Sequence, residues 1–313
     1  MVTFAAISWL ALSTQAPPVN PLKPEATIKE EAGFQRAVFT SAKGTITVIL
    51  PTDIAQGDTI SGTYFTDEKA KDVEGIQIDL GDAHGPPPEI ANNPRRKWVV
   101  PLNAGPRLSL TVWTSDGVSF GTTYVLVATK KPGLSEFNFP NFARIAAPLL
   151  IPGPFDGDAE NTTIKAAGVE CPVLAESPRG VVALIPSSMK MGESTVELQE
   201  QRAKAEAPIR MLTVLISSPK ASISIGEPSN VTLKVDGLVG VSLTKLPMII
   251  VENLTPKVVN LEGRIKHYIE TRASEDGTYS RTLLLTRVST GKFAISATVD
   301  PGPGTKVVPN NGH

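Results

Sequence analysis

The side chains able to do chemistry are few and scattered along this 313-residue chain. His84 lies in the turn-like Gly81-Asp82-Ala83-His84-Gly85, His267 in the strand-like stretch from Arg264 to Glu270, and His313 is the last residue. Nucleophilic catalysis needs a base, most often an imidazole, held beside a nucleophile and an orienting acid. These isolated histidines supply no such group, and each reads as an exposed bystander. The single cysteine, Cys171, sits in the apolar Val169-Glu170-Cys171-Pro172-Val173-Leu174 with no histidine nearby. Nothing there lowers a thiol pKa, so a buried, inert thiol is expected rather than a nucleophile. A zinc site needs three or four His, Cys or carboxylate ligands at local spacings, and no such cluster is present.

The most site-like run is Asp156-Gly157-Asp158-Ala159-Glu160-Asn161. Alternate oxygen donors around a glycine could wrap a hard cation such as calcium, but the run lacks the regular loop and closing bidentate glutamate of an EF-hand. A β-turn whose Asp and Asn side chains bond their own backbone accounts for the same residues. The same reading covers Asp79 with Asp82. No catalytic residue, cofactor-binding residue or metal ligand is therefore assigned, and an enzyme is not expected. The competing reading is an accessory or divergent hydrolase with a site at a domain junction, built from Asp156, Asp158 or His84. Asn161, Asn230 and Asn253 begin glycosylation sequons, which matter only on a eukaryotic secretory route.

Composition fixes the elements that would have to position any site. Aromatic residues make up 5% of the chain and charged residues 19%, with 27 prolines and 25 glycines, which disfavours long amphipathic helices and favours turn-rich β structure. The formal net charge is −1 with no block of like charge, so a nucleic acid, whose phosphates demand a clustered basic face, is excluded as a partner. The densest basic run, Pro94-Arg95-Arg96-Lys97, reads as a solvated strand edge. Residues 1–16 hold an apolar run, then Thr14-Gln15-Ala16, a pattern predicting a secretory signal peptide. That run is shorter than the ~20 residues that span a bilayer, and no other run is long enough. A lone cysteine suits bacterial export better than animal secretion, where sandwich domains usually carry a disulfide.

Period-2 alternation recurs along the chain, at Ile46, Val48 and Leu50, at Ile76, Ile78 and Leu80, at Val231, Leu233 and Val235, and at Phe293, Ile295, Ala297 and Val299. It predicts an all-β chain of tandem immunoglobulin-like β-sandwiches: a Pro-rich spacer at 17–40, a sandwich at 41–130, a linker at 131–148, a second domain at 149–216, a third sandwich at 217–300 and a disordered tail at 301–313. Glu197 to Ala207 has helix propensity, but its place between β-rich runs predicts a long hairpin with a polar tip.

The segment from Pro152 through Leu198 resembles the IPT/TIG family of Ig-like domains. The residues carrying the resemblance are Thr163-Ile164, Val169 to Leu174, Ser177-Pro178, Ile185-Pro186, Gly192 and Val196-Glu197-Leu198. Residues 217–300 are similar to bacterial Ig-like modules at Gly226-Glu227, Val231 to Val235 and Gly237-Leu238. The resemblances imply a fold class and transfer no functional residue. The expectation is a non-enzymatic exported protein that presents its surfaces to an unknown protein or polysaccharide of the cell envelope, without cofactor or membrane span.

Overall fold

The computed structural model describes residues 25–31, 33–81, 94–220, 222–242, 246–272 and 275–311. The expected signal peptide, Asp82, His84 and His313 lie outside the described residues. The chain is all-β, a series of immunoglobulin-like sandwiches, and no helix among the described residues is long and apolar enough to cross a membrane. In chain order the strands begin with β1 (Glu25–Glu31), β2 (Phe34–Ser41), β3 (Gly44–Pro51), β4 (Thr59–Thr66), β5 (Ile76–Leu80), β6 (Arg95–Val99), β7 (Arg107–Thr114) and β8 (Ser119–Leu126). There follow β9 (Phe137–Phe139), β10 (Phe142–Arg144), β11 (Pro148–Pro152), β12 (Thr162–Ala166), β13 (Val169–Glu170), β14 (Val173–Ser177), β15 (Gly180–Leu184), β16 (Gly192–Glu200) and β17 (Ala203–Ser217). The last are β18 (Pro228–Asp236), β19 (Met248–Asn253), β20 (Val259–Leu261), β21 (Lys266–Glu270), β22 (Thr278–Arg287), β23 (Ile295–Val299), β24 (Thr305–Val307) and β25 (Asn310–Asn311).

Three hydrophobic cores follow one another along the chain. The first gathers Phe39, Ile46, Val48, Leu50, Trp98 and Phe120, the second Phe137, Phe139, Ile151, Val181 and Met211, and the third Leu212, Leu233, Ile249, Ile269 and Leu285. The sandwiches are joined by shared sheets. An eight-stranded sheet runs β1-β2-β3-β4-β14-β15-β11, with β6 also on β4, and so belongs to both the first and second cores. A nine-stranded sheet contains β12, β16, β17, β18 and β22 and belongs to both the second and third. Each layer of the middle sandwich thus continues into a different neighbour.

Side-chain parity shows how one strand serves two cores. On β17, Ile209 and Met211 enter the middle core while Leu212 and Val214 enter the third, so the two cores lie on opposite faces of the same strand. At the first junction, β4 pairs through Thr63–Thr66 with β3 and through Ser61 and Gly62 with β14, while β6 takes the opposite edge. The sheet therefore forks at Gly62. A Cβ there would stand 2.5 Å from the Ile49 carbonyl oxygen, so only glycine lets the two branches separate at that point. The fork is filled by Phe34, Ile49 and Phe65 from one branch and Leu150, Leu174 and Val182 from the other. Each such side chain, fully buried, is worth ~1.5–3 kcal/mol relative to exposure.

Polar contacts close the same junction. Arg179, in the β14–β15 turn, donates to Asp53 Oδ2 at 2.9 Å, to the Asp53 carbonyl at 3.0 Å and to both carboxylate oxygens of Asp58. Burial alone would lower the Arg179 pKa, but the Asp58 and Asp53 carboxylates outweigh it and hold the guanidinium charged. The run Arg95-Arg96-Lys97 is not the solvated edge expected. Arg96 is 4% exposed and stacks 4.9 Å over the Tyr64 ring, and Lys97 reaches across to Asp158 Oδ2 at 2.6 Å.

Three segments expected to be unstructured are strands. The spacer 17–40 contains β1 and β2, paired in register from Glu25↔Thr40 to Glu31↔Phe34, because Ala26 packs on the first core and Phe34 fills the fork. The linker 131–148 contains β9, whose Phe137 and Phe139 rings are fully buried, and β10, which runs parallel to β17. The tail 301–313 returns to the middle sandwich: β24 pairs with β9, and β25 with Ala203 and Lys204 of β17. Glu197 to Ala207 forms the β16–β17 hairpin in place of a helix.

Gly157 approaches β4 so closely that a Cβ would lie 1.9 Å from the Thr59 carbonyl oxygen, at a φ of +83°. Gly168 has a similar φ of +76° with nothing within 4 Å of a Cβ. Gly168→Ala therefore incurs only the left-handed backbone cost of ~1–2 kcal/mol, whereas Gly157→Ala adds a backbone clash. In denaturant unfolding, the second variant is expected to lose at least ~1–3 kcal/mol more than the first; equal losses would show that the turn does not seat against β4.

Candidate metal centre

The turn that follows β11 is anchored to the first sandwich from both sides. Ser61 on β4 donates its hydroxyl to the Gly157 carbonyl at 2.8 Å and accepts the Ala159 N–H at 3.1 Å. Within the turn, Asp156 Oδ1 accepts the Asp158 N–H at 2.7 Å, the local side-chain-to-backbone bonding expected of a β-turn. Behind it stand two glutamates that the sequence reading did not single out. The β4–β14 register sets Glu176 opposite Ser61, on the face of β14 directed into the middle sandwich, and Glu176 is fully buried. The β12–β16 register sets Glu200 opposite Thr162, at the end of the other layer. One carboxylate oxygen each from Asp156, Glu176 and Glu200 lies within 4.8 Å of the others. Three elements distant in sequence thus meet at one point between the two layers.

The hydrogen bonds distribute unevenly over these carboxylates. Asp156 Oδ2 accepts the side-chain amides of Asn161 and Gln201, both at 2.6 Å, and the Asp156 N–H donates to Glu200 Oε1 at 3.0 Å. The Gly157 N–H donates to Glu176 Oε1 at 3.1 Å. The Thr162 hydroxyl touches both glutamates but has one proton, which goes to Glu200 Oε2. Glu176 Oε2 is left buried without a hydrogen-bond partner. Burial pushes the Glu176 carboxyl up to about 8, reinforced by the charges of Glu200 and Asp156 and opposed by the Gly157 N–H. Burial likewise raises Glu200. Burial works in the same direction on Asp156, but the Asp158 N–H, Gln201 and Asn161 outweigh it and hold that carboxyl below its ordinary value. Three oxygen-only side chains so arranged are suited to a hard cation and offer no thiol or imidazole to a softer one.

The other residues singled out in the sequence do not join this cluster. Asp158 faces Lys97. Asp79 accepts the Trp113 indole N–H at 2.6 Å. Cys171 is buried, and burial pushes its thiol up to about 11, which suppresses nucleophilic thiolate. His267 is not the exposed bystander expected: it is 5% exposed, with Nε2 3.0 Å from the Leu261 carbonyl and Nδ1 3.8 Å from Glu262, a hydrogen-bonded imidazole of the third sandwich. Asn253 is buried and donates to the Val259 carbonyl, which closes that sequon to modification.

No known protein family matches the chain, and no curated protein does. Among solved structures, it is similar at 12% identity to SGBP-B of the Bacteroides ovatus mixed-linkage glucan utilization locus in complex with a mixed-linkage heptasaccharide, over 92% of this chain and 99% of the other, with a TM-score of 0.27. It is similar at 9% identity to the I9-I11 tandem of titin, over 81% of this chain and 94% of the other, with a TM-score of 0.21. A third similarity, to the extracellular region of Plexin A4, has 11% identity and a TM-score of 0.26 and covers 92% of this chain and 22% of the other.

The sign of the Glu176 shift fixes a pH dependence. Its folded value of about 8 lies above the ordinary 4.5, so its contribution to stability is complete below about 4.5 and is lost as pH rises through about 8. In chelator, unfolding free energy is expected to fall between pH 5 and pH 8.5, and Glu176→Gln, which cannot ionise, is expected to flatten that fall; an unchanged slope would show that Glu176 titrates normally.

Proposed function

We propose that this protein is a non-enzymatic, exported structural or binding protein whose joined sandwiches present their outer sheet faces to a polysaccharide of the cell envelope. The observation that carries the reading is the outward face of the β5-β7-β8 sheet. Tyr124 is 60% exposed there and pairs across with Ser109. Thr111 and Thr122 share a hydroxyl–hydroxyl hydrogen bond of 3.0 Å on the same face, and Trp113 and Asp79 are joined on it by the indole N–H. Flat aromatic rings interleaved with hydroxyl and carboxylate groups suit sugar rings, which offer an apolar face and a rim of hydroxyls. The joined sheets support the same reading, because a face held on a stiff scaffold loses less conformational entropy on binding. The middle domain belongs in this proposal to the IPT/TIG type that its sequence resembles.

A hydrolase at the first junction finds less support. Glu176 is sealed from solvent and Asp158 is engaged by Lys97, so neither stands free to meet a substrate. An envelope protein as partner is distinguished from a polysaccharide by the same experiment. Chain lacking residues 1–16 is passed over envelope polysaccharides from the source organism and over protease-treated and untreated envelope fractions. Retention on polysaccharide and on protease-treated material is expected, with Tyr124→Ala weakening it by ~10-fold or more, the effect of losing a central aromatic contact. Tyr268→Ala, which removes a 62% exposed tyrosine from the third sandwich, is expected to leave binding unchanged. Binding abolished by protease would replace the polysaccharide with a protein partner, and polysaccharide cleavage during the assay would overturn the non-enzymatic reading.

A further inference from the structure

We propose that Asp156, Glu176 and Glu200 bind a divalent cation of the calcium class, and that this ion fastens the 156–161 turn and both layers of the middle sandwich to the edge of the first. Two independent observations point to a ligand. The first is the spacing: one oxygen from each carboxylate lies within 4.8 Å of the others. Calcium–oxygen bonds of about 2.3–2.6 Å place opposed ligands about 4.6–5.2 Å apart, so an ion fits among these oxygens with little rearrangement, whereas magnesium at about 2.0–2.1 Å demands a tighter octahedron. The second is Glu176 Oε2, which is buried, belongs to a residue with no exposed surface, and has no hydrogen-bond partner. A buried carboxylate oxygen without a donor is costly unless a proton or a cation meets it.

The surroundings select a cation by charge and by donor type. Three carboxylates bring up to three negative charges to a point shielded from water, and among the described residues no Lys or Arg enters the group. Lys97, whose charge reaches Asp156, is paired with Asp158. Carboxylates of this number bind calcium in mono- or bidentate fashion and leave its remaining positions to hydroxyl, carbonyl or water oxygens. The Thr162 hydroxyl already stands against both glutamates. The geometry also explains the mechanical consequence. Asp156 comes from the loop seated on Ser61 and Thr59 of β4, Glu176 from the sheet that continues into the first sandwich, and Glu200 from the layer that continues into the third. An ion coordinated by all three ties together both routes by which the sandwiches are joined.

The test uses the full chain stripped with chelator and titrated calorimetrically with calcium chloride, in parallel with magnesium chloride, and unfolded thermally in each condition. Binding of one calcium per chain and a rise in Tm of at least ~3 °C at saturating calcium are expected, with a weaker response to magnesium. Glu176→Gln and Glu200→Gln are each expected to abolish both responses while unfolding in chelator at pH 8.5 at or above the wild-type temperature, since at that pH an amide removes buried charge. Asp116→Asn, at an exposed acid of the first sandwich that pairs with Lys43, is expected to respond like the wild type. Calcium binding that survives Glu176→Gln and Glu200→Gln would overturn the assignment, as would the absence of any heat or Tm change at millimolar calcium, which would leave a shared proton as the occupant. Should one glutamine variant fail to fold, the other and Asp156→Asn decide the question.

Discussion

Two residue pairs, Gly62 with Ala175 and Ser61 with Glu176, carry a β-sheet out of one sandwich and into the next. So short a ladder contributes little by itself, because each main-chain hydrogen bond nets only ~0.5–1.5 kcal/mol. Its importance lies in what it fixes. Pairing sets the face on which every following side chain lies, and a slip of one residue would turn Glu176 outward and Ala175 into the middle core. The apolar filling of the fork and the Arg179 contacts with Asp53 and Asp58 hold that register from either side. The long strand β17 solves the second junction differently, by continuing as one strand while the core changes sides beneath it.

That register also accounts for a buried acid where a β-sandwich ordinarily places a hydrocarbon. Replacing a buried ionic group by well-packed apolar side chains of similar volume is often neutral or stabilising. Packing alone therefore gives no reason for Glu176, Glu200 and Asp156 to converge. Their partners are also divided with economy: the N–H groups of Asp156, Gly157 and Asp158, the Thr162 hydroxyl and the amide side chains of Asn161 and Gln201 satisfy all but one of the six carboxylate oxygens. The one left over belongs to the most deeply buried of the three residues. Structure and chemistry meet in that oxygen, since the same turn that seats against β4 also delivers Asp156 to it.

The all-β class was legible in the alternation around Ile46 to Leu50 and Val231 to Val235, because a sandwich strand with one wet face writes its burial as period 2. The joints between sandwiches were written in the exceptions to that rule. Ile49 stands on the otherwise polar face of β3, and Gly180 to Leu184 and Pro148 to Pro152 are apolar runs without alternation, the pattern of strands covered on both faces. The polar β1 and the proline- and glycine-rich tail were illegible for a different reason: their order comes from pairing with β2 and β9, strands remote from or opposite in character to their own sequence. The acidic cluster was half legible. Asp156 announces itself in a turn, whereas Glu176 and Glu200 are joined to it only by registers that no local spacing encodes. A glutamate inside the buried run Val173-Leu174-Ala175-Glu176-Ser177 was the one signal available.

Continuity of the sheets across both junctions implies that the three sandwiches move as one body, and inter-label distances test this most directly. Spin labels at Thr122→Cys in the first sandwich and Tyr268→Cys in the third, both exposed positions, leave the buried Cys171 unlabelled. Pulsed dipolar spectroscopy of the intact chain is expected to give a single narrow distance distribution. A broad distribution, of the kind produced by modules swinging on flexible linkers, would contradict the account.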